Sequence, residues 1–173
     1  MSDPSVTVGA VLAHARARLA DIPRERLGEA SAGRRILGIA RSPRIVPVGE
    51  AWHLGVLLLA ADPAAGLLAT GDILRARAEV RRGFAAQSQR ERAERAAAAR
   101  RGGFAEGEVV HVGWRTIDLA AVARGEASDP LAVVDGEPRV RWSRAGGYVP
   151  LAGYLDERIA LLRHPPAGAT GGP

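Results

Sequence analysis

The chain has 173 residues, 47% of them hydrophobic, and a net charge of +5 in which every positive side chain is one of 24 arginines; lysine, cysteine and asparagine are absent. That inventory excludes Schiff-base lysines, Ser–Lys dyads, phosphate-loop lysines, thiolate nucleophiles, disulfides and cysteine-ligated metals in one step. The hydrophobic fraction is enough for a real core, and a mean hydropathy near zero argues against global disorder.

In chain order, Val8, Val11, Leu12, Ala15 and Leu19 recur at helical spacing and predict a helix over Val8–Ala20, limited by Pro23. The pattern weakens from Arg24 to Ser42, where glycines predict loop with a short strand at Ile36–Ile39. Arg44–Val48 reads as a strand that Pro47 confines to an edge. Trp52–Ala60 reads as one central strand, because both of its faces carry large apolar residues. Leu67–Ala76 returns as its antiparallel partner after the Asp62-Pro63 turn, with Gly71 as a candidate bulge. Ser88 and Glu91 fit a capping box for an arginine-rich helix that Gly102-Gly103 ends. Val109–Trp114 predicts a strand, and Ile117–Ala123 a short helix capped by Thr116. Leu131–Val134 and Arg139–Trp142 bracket the hairpin signal Asp135-Gly136. Pro150–Arg163 predicts a last helix with the stripe Leu151, Leu155, Ile159 and Leu162, closed by Pro165-Pro166.

These elements predict an α+β fold with a mainly antiparallel sheet and N-terminal, central Arg-rich and C-terminal helices. They imply one globular domain over residues 1–166, followed by a disordered tail over 167–173. The start Met1-Ser2-Asp3-Pro4-Ser5 lacks the pattern of a signal peptide, and the longest apolar stretch, Leu54–Ala61, is far short of a membrane span. A cytoplasmic protein with no membrane contact is the expectation.

Charge is unevenly spread. Residues 74–103 hold 9 arginines against 3 glutamates, more than the excess of the whole chain. Arg75, Arg77, Arg81, Arg82, Arg90, Arg92, Arg95, Arg100 and Arg101 are therefore the candidate anion-binding set, since guanidinium forks grip carboxylate and phosphate oxygens bidentately. GC-rich codon usage and an ordinary solvated helix are the simpler explanation. Only Phe84 and Phe104 flank the cluster, which disfavours nucleic acid, whose readers add stacking aromatics.

Four histidines, His14, His53, His111 and His164, lack the close spacing of a metal site, so neither metal nor cofactor is expected. His53 and His111 lie on or beside apolar strands and are the candidate acid–base groups; the alternative is a two-histidine site in which they meet across a sheet with Asp72 or Glu108. A satisfied strand histidine is the more common role. Ser143, in the Gly-rich turn after Trp142, is the candidate nucleophile, although such turns serve any connection. Paired carboxylates occur at Asp156-Glu157 and Glu106/Glu108, and the first pair, on the exposed side of the last helix, reads as solubilising. Trp52, Trp114 and Trp142 read as core anchors, with convergence on an arginine-rimmed pocket as the alternative.

Three strings, PRIVPVGEAWHLGVLLL from Pro43 to Leu59, RGGFAEGE from Arg101 to Glu108 and VRWS from Val140 to Ser143, resemble a group of short proteins of high-GC bacteria. The similarity runs from the first helix to His164-Pro165-Pro166. Some members carry the label glutaminase, so the resemblance implies amide hydrolysis. The chain departs from the known chemistries of that name: serine-type glutaminases use Ser-x-x-Lys, the amidotransferases use cysteine, and lysine and cysteine are both absent.

The expectation is a non-catalytic binding or interaction module that presents its Arg-rich surface to an acidic protein or a small anionic ligand. The alternative is an amide hydrolase using His53 or His111, with Ser143 or water as nucleophile. A third reading is weak, sequence-independent nucleic-acid binding through the same arginines.

Overall fold

A computed structural model describes residues 4–31, 42–79, 86–143 and 145–166. The described residues form four α-helices and ten strands, with all strand pairings antiparallel except one, as an α+β fold requires. No helix among them is long and apolar enough to cross a membrane. The predicted strand at Ile36–Ile39, Arg81, Arg82, Phe84 and the tail 167–173 lie outside the described residues.

The chain divides into two compact units. The first comprises Met1–Arg24, Trp52–Ala69 and Arg115–Pro173; the second comprises Glu25–Ala51 and Thr70–Trp114.

The first unit has the larger apolar core. Helix α1 (Pro4–Leu19) buries Val8, Leu12, Ala15 and Leu19, as its spacing predicts. The expected single strand Trp52–Ala60 is instead the end of β2 (Arg44–Leu54), a turn, and β3 (Leu57–Ala60). Gly55 makes the turn with φ +68°, a conformation that suits a residue without Cβ. The Tyr154 hydroxyl pins it, accepting from Val56 N at 2.9 Å and donating to Leu54 O at 3.0 Å. After a short turn at Pro63–Ala65, β4 (Leu67–Ala69) pairs with β3 and with a two-residue strand at Arg115–Thr116.

The unit continues with a short helix, Leu119–Ala123, whose cap is Asp118 rather than Thr116: its carboxylate accepts from Ala121 N at 2.9 Å. A three-stranded antiparallel sheet follows, made of Leu131–Val134, Glu137–Arg141 and Tyr148–Pro150. Asp135 and Gly136 both take positive φ, as the tight hairpin between its first two strands requires. The last helix, Leu151–Arg163, buries Leu151, Tyr154, Leu155 and Ile159; Leu162, placed on its buried stripe by spacing, is exposed.

In the second unit, β1 (Glu25–Ser31) occupies a stretch whose sequence predicts loop. It lies between β2, antiparallel, and β6 (Val109–Val112), parallel, and β6 pairs on its other edge with β5 (Asp72–Arg75). Pro47 therefore stands inside a paired strand, not on an edge. It is tolerated at an irregularity, where the β1–β2 register shifts between Leu27 and Gly28 and Gly28 faces Pro47.

Helix α2 (Gln87–Gly102) buries only Ala97, Ala98 and Ala99 in its last turns, and Ala98 and Ala99 join a core with Ile45, Phe104, Val110 and Val112. The expected capping box is not formed: Ala86 is the N-cap and makes no side-chain cap bond. The stop is as expected, with Gly103 left-handed at φ 112°. Close approach explains Gly102, where a Cβ would fall 1.6 Å from the Ile45 carbonyl oxygen.

Candidate functional site: a buried histidine with its glutamate and an exposed arginine helix

Strand pairing builds the first feature, in the second unit. His111 lies at the centre of β6 opposite Leu27 of β1, and Glu25 lies two residues before Leu27 on the same strand. Side chains two apart on a strand share a face, so Glu25 and His111 become diagonal neighbours. The His111 Nε2 contacts Glu25 Oε2 directly. His111 has no exposed surface and is the one buried polar or charged side chain among the described residues, whereas the Glu25 side chain is 40% exposed. A buried imidazole is costly without a hydrogen-bond partner, and the carboxylate supplies one.

The partners named from sequence are engaged elsewhere. Asp72 bonds Arg95 at 2.9 Å, and Glu108 accepts from Ala105 N at 2.7 Å. Glu106 accepts from Ala78 N at 2.9 Å. Glu106 and Glu108 thus fasten loop backbone. Glu25 was not singled out from the sequence, because 86 residues separate it from His111 and no local pattern links them.

The other candidate catalytic residues belong to the first unit. His53 is half-buried near the end of β2, with Nε2 2.9 Å from Gly55 O across the turn. The Ser143 Oγ accepts from Gly146 N at 2.7 Å, which closes the Gly-rich turn and gives the hydroxyl a structural task. Trp52 is buried, donates to Ile22 O at 2.9 Å and carries the Arg24 guanidinium over its ring at 5.1 Å, so it anchors the core. Trp142 is 49% exposed, which does not fit a core anchor. In the second unit, the Trp114 indole N–H is buried with no hydrogen-bond partner among the described residues. His14 and His164 are exposed; His14 borders a groove of about 300 Å³ between α1 and the last helix, beside the Arg18–Asp156 ion pair.

The arginine set separates into two classes. Arg95 binds Asp72, Arg100 lies 3.6 Å from Glu106 and donates to Phe104 O, and Arg101 binds Glu94 at 2.6 Å and Pro43 O at 3.0 Å. Arg75 reaches Gly107 O at 3.4 Å. These side chains tie α2 and its strands together. Arg77, Arg90 and Arg92 are exposed and make no side-chain bond or ion pair among the described residues. Arg90 and Arg92 lie on the first half of α2, where residues 86–95 are all exposed. The Arg77 backbone is held next to the same helix, its N–H donating to Ala96 O at 3.2 Å.

No protein-family model, no curated protein and no solved structure matches this chain.

Proposed function

We propose that this protein is a non-catalytic binding module of the cytoplasm that takes an acidic polypeptide through Arg77, Arg90 and Arg92. The observation that carries this reading is the first half of α2, exposed on every side, with two arginines that serve no ion pair among the described residues. A helix that is polar all round gains little from packing, so the fold alone gives these residues no task. Guanidinium groups on a surface helix suit carboxylates bidentately, and opposite charge speeds encounter. The aromatic platforms expected of a nucleic-acid surface are missing from the described part of this helix, which favours a protein partner over an oligonucleotide.

The test is fluorescence anisotropy of labelled poly-glutamate, with a single-stranded oligonucleotide in parallel, against wild type and an R77A/R90A/R92A variant. Three exposed pairs at about 0.5 kcal/mol each predict about a tenfold loss of poly-glutamate affinity. Equal binding by both proteins would refute the reading, and preference for the oligonucleotide would replace it with the nucleic-acid alternative.

One observation favours a second reading, the amide hydrolase. The Glu25–His111 contact is an acid–base pair, with the carboxylate as the solvent-reaching member and water as nucleophile. It ranks behind because the imidazole has no exposed surface from which to meet a substrate. Ammonia release from glutamine that disappears in His111→Gln would raise it to first place.

A further inference from the structure

The geometry points to Glu25 and His111 as two ligands of a divalent transition-metal site, of the zinc and cobalt class, independent of the arginine surface. Their donor atoms, an imidazole nitrogen and a carboxylate oxygen, are in direct contact. Imidazole with carboxylate is a borderline donor set, which selects zinc, cobalt or nickel over calcium or magnesium.

Three further features suit an ion. Both ligands stand on paired strands, β1 and β6, so their separation is set by a hydrogen-bonded ladder rather than by a loop. Across the β1–β2 pair the residue facing Glu25 is the small Ala51. The site is also asymmetric, closed at His111 and open at Glu25, whose 40% exposure gives an ion an entry path and leaves room for water in remaining coordination positions. Metal binding replaces the direct nitrogen–oxygen contact with two bonds to the ion, and the imidazole must be neutral to form its bond.

The test uses the full-length protein stripped with chelator and titrated with zinc, followed by calorimetry and by NMR of the histidine ring signals. One equivalent is expected to bind and to shift the His111 ring first, ahead of the exposed His14 and His164. Cobalt in place of zinc reports the coordination number through its visible spectrum. Glu25→Gln keeps the shape of a partly exposed side chain and is expected to weaken zinc about tenfold or more; His111→Gln is expected to do the same. If His111→Gln unfolds, the Glu25→Gln affinity and the His111 ring shift in the wild type still decide. Zinc that moves only the exposed histidines, or affinity unchanged by Glu25→Gln, would overturn the proposal.

Discussion

The two units solve the same burial problem with different materials. The first fills its core with leucines, among them Leu12, Leu19, Leu54, Leu57, Leu59 and Leu67, and ties two helices to it. The second buries three alanines, Ala76, Ala98 and Ala99, among Ile45, Phe104, Val110 and Val112, and keeps glycines where backbone meets backbone. Large side chains stabilise by the area they bury, whereas an alanine–glycine interface stabilises by close approach and tolerates no added atom. The second unit is also where the buried histidine lies, and with it Arg77, Arg90 and Arg92, which make no ion pair among the described residues. The contrast is between a unit built for stability and a unit that gives up apolar bulk for polar features.

The sharpest way to break the second unit is Gly102→Ala. Its Cβ would meet the Ile45 backbone, which cannot turn aside as a side chain can. A loss of about 4 kcal/mol is expected, in the range reserved for a named steric failure, and urea unfolding measures it. In the first unit the corresponding injury is a cavity: Leu57→Ala should cost about 3 kcal/mol by the same measurement. If Gly102→Ala is nearly neutral while Leu57→Ala is costly, the close-approach account of the second unit is wrong. A gentler probe is Ala99→Gly in the buried end of α2, with about 1 kcal/mol expected from backbone entropy and lost contact.

The smallest effect concerns a surface pair of the first unit. Arg163 donates to the Asp21 carboxylate, and that hydrogen bond holds the Asp21 carboxyl below its ordinary value. A carboxylate lowered in the folded state contributes stability above the unfolded carboxylate range, and loses it as pH falls through the folded value. Arg163→Ala should therefore raise the Asp21 value toward normal, as followed by carboxyl NMR during acid titration. An unmoved titration would show that the pair does not persist in solution.

Local pattern made the first unit legible and much of the second illegible. Leu12, Ala15 and Leu19 of α1, Leu151, Leu155 and Ile159 of the last helix, and Asp135-Gly136 all declare themselves within a few residues, through helical period or turn chemistry. β1 does not, because Glu25–Ser31 holds glutamates, glycine and serine in place of β-branched residues; its neighbours β2 and β6 make it a strand. Pro47 misleads for a related reason, since the register shift opposite Gly28 admits it inside a pair. Gly28 itself is required by packing, as a Cβ there would lie 2.6 Å from Ile45 Cγ2 and 2.7 Å from Val110 Cγ1. The Glu25–His111 contact depends on the parallel β1–β6 pairing, which no stretch of sequence encodes alone. The arginine cluster is visible as composition, but its division into bonded and unbonded members depends on where the fold places Asp72, Glu94, Glu106 and Pro43.

That division is the most exposed part of the account. Two variants test it side by side: R77A/R90A/R92A, which removes the unbonded arginines, and R95A/R101A, which removes bonded ones, each assayed for thermal unfolding and poly-glutamate affinity. The first is expected to lose affinity with an unchanged melting temperature, and the second to melt earlier while its affinity falls less. A reversed outcome, with binding lost through Arg95 and Arg101 and stability lost through Arg77, Arg90 and Arg92, would contradict the assignment of the exposed half of α2 as the contact surface.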